Sequence, residues 1–94
     1  MIQSFNDEDT AELFVSRKSR RWQNIKAVSL RKLDMLHAAA SLIDLRIPPA
    51  NRLEALSGER KGQHSIRIND QYRICFVWND KDGAHNVEIV DYHS

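Results

Sequence analysis

Residues 65–92 of this chain have the sequence SIRINDQYRICFVWNDKDGAHNVEIVDY, and the class of fold follows mainly from them. Polar and apolar side chains alternate over residues 65–68, a longer apolar run covers residues 72–78, and a third apolar segment occupies residues 87–92. Residue types that favour turns separate these segments, a pattern typical of strands joined by hairpins. The sequence therefore predicts three antiparallel strands in succession.

The residues before these strands have a helical pattern. Apolar side chains recur at helical spacing between Trp22 and Ile43 and form a wide apolar sector, which favours packing against both a sheet and another helix. Prolines at positions 48 and 49 end this region, because proline lacks an amide donor. We predict a helix that begins near Trp22, followed by a loop or short strand near residues 51–56.

The N-terminal residues carry weaker signals. Residues 1–5 alternate and predict a short first strand. Asp9 and Glu12 have the spacing of a capping box, which predicts a first helix from about residue 9 to residue 15. With 94 residues the chain fits one domain over residues 1–94, and the order of its elements predicts the α+β class.

The basic residues are concentrated in one segment. The formal net charge of +1 does not by itself indicate a nucleic-acid-binding protein. Residues 17–32 nevertheless contain seven basic residues and no acidic one. A solvated helix face is the usual explanation, and a phosphate-binding or partner-docking surface is the alternative. We expect a cytoplasmic protein without a membrane partner, because the sequence has no long apolar run and no basic leader.

Acid–base catalysis is the main kind of chemistry that the residues of this sequence could support. The four histidines and one cysteine lack the spacing of a metal site, so we expect no metal and no cofactor. Cys75 lies inside the apolar run of residues 74–78 and is expected to be a buried thiol, not a nucleophile.

The final hairpin brings together the residues that could carry chemistry. A turn centred on Gly83 places Arg73 opposite His93, and a centre half a residue earlier places it opposite Tyr92. Such a cluster suits RNA cleavage by the 2′-OH, with Arg73 holding the phosphate and His93 moving a proton. The alternative is a solvated C terminus beside a surface arginine.

Several motifs resemble the HigB family of toxins. These are NRLEALSGERKGQHSIRI at residues 51–68, YRI at residues 72–74 and EIVDYH at residues 88–93, with MIQSF at residues 1–5 also similar. The resemblance implies a RelE-like fold, in which two N-terminal helices pack on a small twisted, mainly antiparallel β-sheet. It also implies a metal-independent endoribonuclease that cleaves mRNA, typically on the ribosome. The implied partner is a cognate HigA-like helix-turn-helix antitoxin, through which alone the toxin would reach operator DNA.

The resemblance assigns roles by position. Arg73 matches the strand arginine that stabilises the phosphate, and Tyr92 and His93 match the terminal pair, with His93 as the acid–base residue. Arg60 and Lys61 match a basic loop that faces RNA.

The chain also departs from the family pattern. Several relatives have a histidine and a lysine where this chain has Glu54 and Ser57. Glu54 is a candidate base, although an exposed glutamate of ordinary pKa is more often a solvated surface group. His64 is a candidate for stacking on RNA bases, with a partly buried strand residue as the alternative.

Two other functional classes stay open. A ParE-like toxin that inhibits DNA gyrase would share the fold without cleaving RNA, since fold does not fix function. A non-enzymatic module would use the basic segment of residues 17–32 to bind RNA or a protein.

Overall fold

The three predicted antiparallel strands are confirmed by the structure, a computed structural model that describes residues 1–92. They are β2 (His64–Arg67), β3 (Tyr72–Asn79) and β4 (Gly83–Asp91). A two-residue strand, β1 (Glu54–Ala55), pairs with β2 and lies within the region predicted as a loop or short strand. The sheet has the order β1-β2-β3-β4, and all neighbouring strands are antiparallel.

Three helices precede the sheet: α1 (Glu8–Ser16), α2 (Lys26–Ala38) and α3 (Leu42–Arg46). Short 3₁₀ turns follow at Pro49–Asn51 and Gly58–Arg60. The predicted α+β class is therefore confirmed. None of the helices in residues 1–92 is long and apolar enough to cross a membrane.

The core lies between the helices and one face of the sheet. Leu13 of α1 and Leu33 and Leu36 of α2 are fully buried, and they belong to the same cluster as Ile66 and Ile74 of the sheet. Because side chains alternate along a strand, the neighbouring residues of β2 and β3 lie on the opposite face. That opposite face is available for a functional site.

The helix predicted to begin near Trp22 is wrong in its extent. Trp22 is buried in a turn before α2, and the helical region divides into α2 and α3. Ser41 and Asp44 form a capping box, so a new helix begins after Ser41 and the earlier one stops at Ala38. Ile43, predicted to lie on the apolar stripe, is 62% exposed as a result.

The first helix begins at Glu8, one residue before the predicted start, and its cap lies two residues earlier than predicted. Asp7, not Asp9, is its cap, and the Asp7 carboxylate accepts a hydrogen bond from the Thr10 amide at 3.1 Å. The predicted strand at residues 1–5 is present only as isolated parallel bridges, which join Ile2 to Ala84 and Phe5 to Val87.

The predicted register of the final hairpin is wrong. Arg73 lies opposite Val90, not opposite His93 or Tyr92, and the turn connects Asn79 with Gly83. Gly83 is the first residue of β4 with φ +107°, and a Cβ there would lie 2.2 Å from the Met1 carbonyl oxygen. The glycine therefore permits close approach of the N-terminal segment, whereas the sequence pattern predicts a turn centre there.

Candidate active site

One face of the sheet carries the polar side chains predicted to act in chemistry. The strand registers place Glu54, Ser65, Cys75 and Glu88 in one row across the four strands, with Arg73 in the adjacent row. We call this surface the open face, because the helices and the hydrophobic core lie on the other side of the sheet. Arg67 lies directly opposite Arg73, which makes the adjacent row basic.

Arg73 is held in one orientation by its neighbours on the open face. Its Nε donates a hydrogen bond to Ser65 Oγ at 2.7 Å, and its Nη2 donates to the Arg52 carbonyl at 2.6 Å. A third contact joins Nη2 to the Ser65 carbonyl at 3.3 Å. Arg52 follows the 3₁₀ turn with φ 44°, a left-handed conformation in which its carbonyl accepts from Arg73. The guanidinium is therefore positioned before any substrate binds.

Tyr92 reaches the same face although its predicted partner was wrong. Its amide donates to the Gln71 carbonyl at 2.6 Å, and its hydroxyl lies 3.7 Å from the Cys75 sulfur. Burial of the hydroxyl and its contact with Cys75 raise the pKa of Tyr92, although the positive charges of Arg60 and Arg73 oppose this. The hydroxyl consequently keeps its proton at neutral pH and is able to donate a hydrogen bond, while in its contact with Cys75 either group can be the donor.

Cys75 is fully buried, as predicted, but it lies on the open face beneath Tyr92. Burial raises the pKa of this thiol more than the nearby Tyr92, Arg60 and Arg73 lower it. The thiolate is therefore disfavoured, which argues against a nucleophilic role for Cys75.

The two residues of the predicted basic loop have different surroundings. Arg60 forms an ion pair with Glu88 at 3.2 Å and donates to Gln63 Oε1 at 3.1 Å. Partial burial alone would lower the pKa of Arg60, but the bond to Glu88 leaves this pKa raised, so the guanidinium stays charged. Lys61 is exposed at the end of the 3₁₀ turn. Arg60 is thus tied to the sheet, whereas Lys61 faces solvent.

The remaining predicted site residues are divided by the strand alternation. Glu54 is exposed on edge strand β1 and shares the open face through its pairing with Ser65. His64 lies on the opposite face, where its ring packs at 6.2 Å from Phe76 and lines an apolar cavity of about 220 Å³. The structure therefore separates His64 from Arg73. His93 lies outside the described residues.

The basic segment of residues 17–32 is partly neutralised within the fold. Arg17 pairs with Asp34 at 2.5 Å, and Arg21 pairs with Asp9 at 3.1 Å. Lys32 is buried and donates to Asn51. Part of this segment therefore has a structural role, which its charge count did not indicate.

Sequence reasoning did not identify Ser65, Arg52 or Glu88 as parts of the site. Ser65 is distinguished in the sequence only by its alternation with apolar neighbours, and its meaning depends on the register with Cys75. The contribution of Arg52 is a backbone carbonyl, which side-chain identity does not reveal.

Comparison with known proteins places this chain in a family. Residues 3–93 match the family described as RelE-like toxin of type II toxin-antitoxin system HigB. The chain is 43% identical over 82 residues to Toxin HigB-1 of Vibrio cholerae serotype O1. The aligned region covers 85% of this chain and 86% of that protein. It is also 41% identical over 71 residues to an uncharacterized protein of Haemophilus influenzae, covering 76% of this chain and 68% of that protein.

Proposed function

This chain belongs to the HigB-like family of RelE-like toxins in type II toxin–antitoxin systems, and from that membership we propose that it is a metal-independent endoribonuclease acting on ribosome-bound mRNA. The observation that carries the proposal is the oriented, partly exposed guanidinium of Arg73 on the open face of the sheet. Tyr92, a hydroxyl donor, lies on the same face. Cleavage of a phosphodiester by the 2′-OH requires stabilisation of negative charge, a proton donor and a base, and Arg73 and Tyr92 would supply the first two.

The proposed reaction needs no covalent enzyme intermediate. The RNA 2′-oxygen loses its proton to a base and attacks the adjacent phosphorus, while the bond from phosphorus to the 5′-oxygen breaks. The leaving 5′-oxygen takes a proton from an acid. The products are a 2′,3′-cyclic phosphate and a 5′-hydroxyl.

We assign the steps to particular side chains. Arg73 stabilises the charge that develops on the phosphate, and Tyr92 donates a hydrogen bond or a proton. His93, adjacent in sequence to Tyr92, is the proposed acid–base residue because an imidazole titrates near neutral pH. Glu54, exposed on the same face as Ser65, is the alternative base.

The partners follow from membership of the family. A type II toxin acts with an antitoxin, and we propose a HigA-like helix-turn-helix protein that contacts operator DNA on behalf of the complex. We propose that Lys61 contacts RNA phosphates, because it is exposed and follows Arg60, which pairs with Glu88 of the open face. We also propose that the protein is cytoplasmic, the location in which it would meet these partners.

The decisive experiment maps the 5′ ends of transcripts after brief induction of the wild-type protein and of Arg73→Ala. We expect new 5′-hydroxyl ends within coding regions for the wild type only. The same cleavage should occur with purified ribosomes at a concentration of metal chelator that is low enough to leave the ribosomes assembled. Loss of a preorganised charge donor costs about 10²- to 10³-fold in rate. Intact mRNA together with inhibited DNA gyrase would instead identify a ParE-like toxin.

A fold control accompanies the Arg73→Ala variant. Ile74 and Phe76 remain buried on the core face, so the circular dichroism spectrum should not change. Co-purification with the antitoxin encoded beside the gene should also persist. Full cleavage activity in the folded variant would contradict the role of Arg73.

A further inference from the structure

Ser65 supplies two of the three acceptors that hold the Arg73 guanidinium. Its Oγ accepts from Nε at 2.7 Å and its carbonyl accepts from Nη2 at 3.3 Å, while the Arg52 carbonyl accepts from Nη2 at 2.6 Å. A guanidinium has five N–H donors in a rigid plane. These contacts use Nε and Nη2, and within residues 1–92 no hydrogen-bond acceptor contacts Nη1.

The Ser65 side chain has little freedom to move. It is fully buried in β2, between Glu54 of β1 and Cys75 of β3. Its backbone belongs to a strand that is paired on both sides. Together with the two carbonyls that accept from Nη2, the Ser65 hydroxyl gives three acceptors, and three acceptors define the plane of the rigid guanidinium.

We propose that Ser65 is a positioning residue for RNA cleavage, which turns the Arg73 guanidinium so that Nη1 points away from the sheet toward the scissile phosphate. The inference rests on the proposed nuclease function. The Nε and Nη2 edge is occupied by the protein, and Nη1 is the group left to bind a phosphate oxygen. Donors held in place before the reaction stabilise a transition state without the cost of reorganisation.

The test is the Ser65→Ala variant in single-turnover cleavage of ribosome-bound mRNA. We expect the rate at saturating ribosome concentration to fall about 10-fold, the effect of losing one charge-assisted hydrogen bond. The concentration giving half the maximal rate should change less than twofold, because Ser65 is buried and does not contact RNA. Ser65→Thr retains the hydroxyl and should recover most of the rate.

Ser29→Ala is the matched control. Ser29 is a fully buried serine of α2 whose Oγ has no hydrogen-bond partner among the described residues. Removing this hydroxyl should leave cleavage unchanged. A loss of activity in Ser29→Ala equal to that in Ser65→Ala would overturn the inference, since any buried serine would then have the same effect.

Two further measurements separate positioning from folding and from the function itself. In an Arg73→Lys background, Ser65→Ala should have no additional effect, because an ammonium lacks the rigid fork. The Arg73 Nε–H signal in a nitrogen-15 spectrum should exchange slowly with solvent in the wild type, independently of any activity. Rapid exchange, or an equal loss in both backgrounds, would overturn the inference.

The outcome also distinguishes this inference from the proposed function. If the wild-type protein cleaves RNA and the Ser65→Ala variant is equally active, the role of Ser65 is overturned but the proposed function is not. A folded wild-type protein that cleaves no RNA overturns both.

Discussion

Replacing Arg60 by alanine should destabilise the fold, although the family resemblance assigns Arg60 to an RNA-facing loop. Its guanidinium pairs with Glu88 at 3.2 Å, and the two side chains are 34% and 16% exposed. Asn6 also donates to Glu88, and Arg60 also donates to Gln63. The pair therefore joins the loop before β2 to the last strand and to the N-terminal segment.

The magnitude follows from the exposure of the pair. Exposed ion pairs contribute about 0–1 kcal/mol, whereas breaking a buried pair costs about 3–5 kcal/mol. Since Arg60 and Glu88 are partly buried, we expect Arg60→Ala to cost about 1–2 kcal/mol, between these limits. In a domain of this size, 1 kcal/mol corresponds to about 4–8 °C in melting temperature, so Tm should fall by about 5–15 °C.

The assay is thermal and urea denaturation of the purified variants. Lys61→Ala is the matched control, because Lys61 is the adjacent cation and is exposed, and its effect should stay below about 0.5 kcal/mol. The double variant Arg60→Ala with Glu88→Ala should recover part of the loss, since no partly buried carboxylate is left without its partner. Equal stabilities for Arg60→Ala and Lys61→Ala would refute the reasoning.

Three further predictions concern charge and pH. Lys61→Glu should weaken ribosome binding and reduce its dependence on salt concentration, measured by sedimentation at several salt concentrations, because an exposed ammonium that contacts phosphate releases counterions. Burial and the positive charges of Arg31 and Arg67 lower the pKa of Lys32 from its ordinary value of 10.5. Between the lowered pKa and 10.5, Lys32 therefore binds fewer protons in the folded protein than in the unfolded chain. This group's contribution to stability therefore rises with pH in that interval, and urea denaturation at alkaline pH should show that Lys32→Met loses the rise. Tyr92→Phe should lower the cleavage rate without shifting the pH–rate profile near neutral pH, since the raised pKa keeps the hydroxyl protonated there.

The strands were predictable from sequence, whereas the helix boundaries depended on local competition. Alternation over residues 65–68 and the apolar run of residues 72–78 indicate strands without further information. The apolar spacing between Trp22 and Ile43 equally fits one helix or two. The Ser41–Asp44 capping box decides for two, and such a local hydrogen-bond pattern is weaker in sequence than the apolar stripe.

The hairpin register required a contact that is distant in sequence. Gly83 resembles a turn residue until Met1 is placed against it. The hydrogen bonds that hold this approach, from Ala84 to the Met1 carbonyl at 3.0 Å and from Gln3 to the Ala84 carbonyl at 2.7 Å, join opposite ends of the chain. Turn rules treat only neighbouring residues, so they place the turn too late.

A wrong register does not necessarily place the site residues on the wrong face of the sheet. Side chains alternate with a period of two, so a shift of two residues along β4 keeps the same face, whereas a shift of one or three exchanges it. Of the two predicted registers, pairing Arg73 with Tyr92 differs by two residues from the observed pairing with Val90. That register therefore places Tyr92 on the face of Arg73, and the hydroxyl reaches Cys75 there. The other register differs by three residues and reverses this assignment. A chemical hypothesis that depends on which side chains share a face can thus remain valid when the strand register is wrong, provided that the register is shifted by an even number of residues.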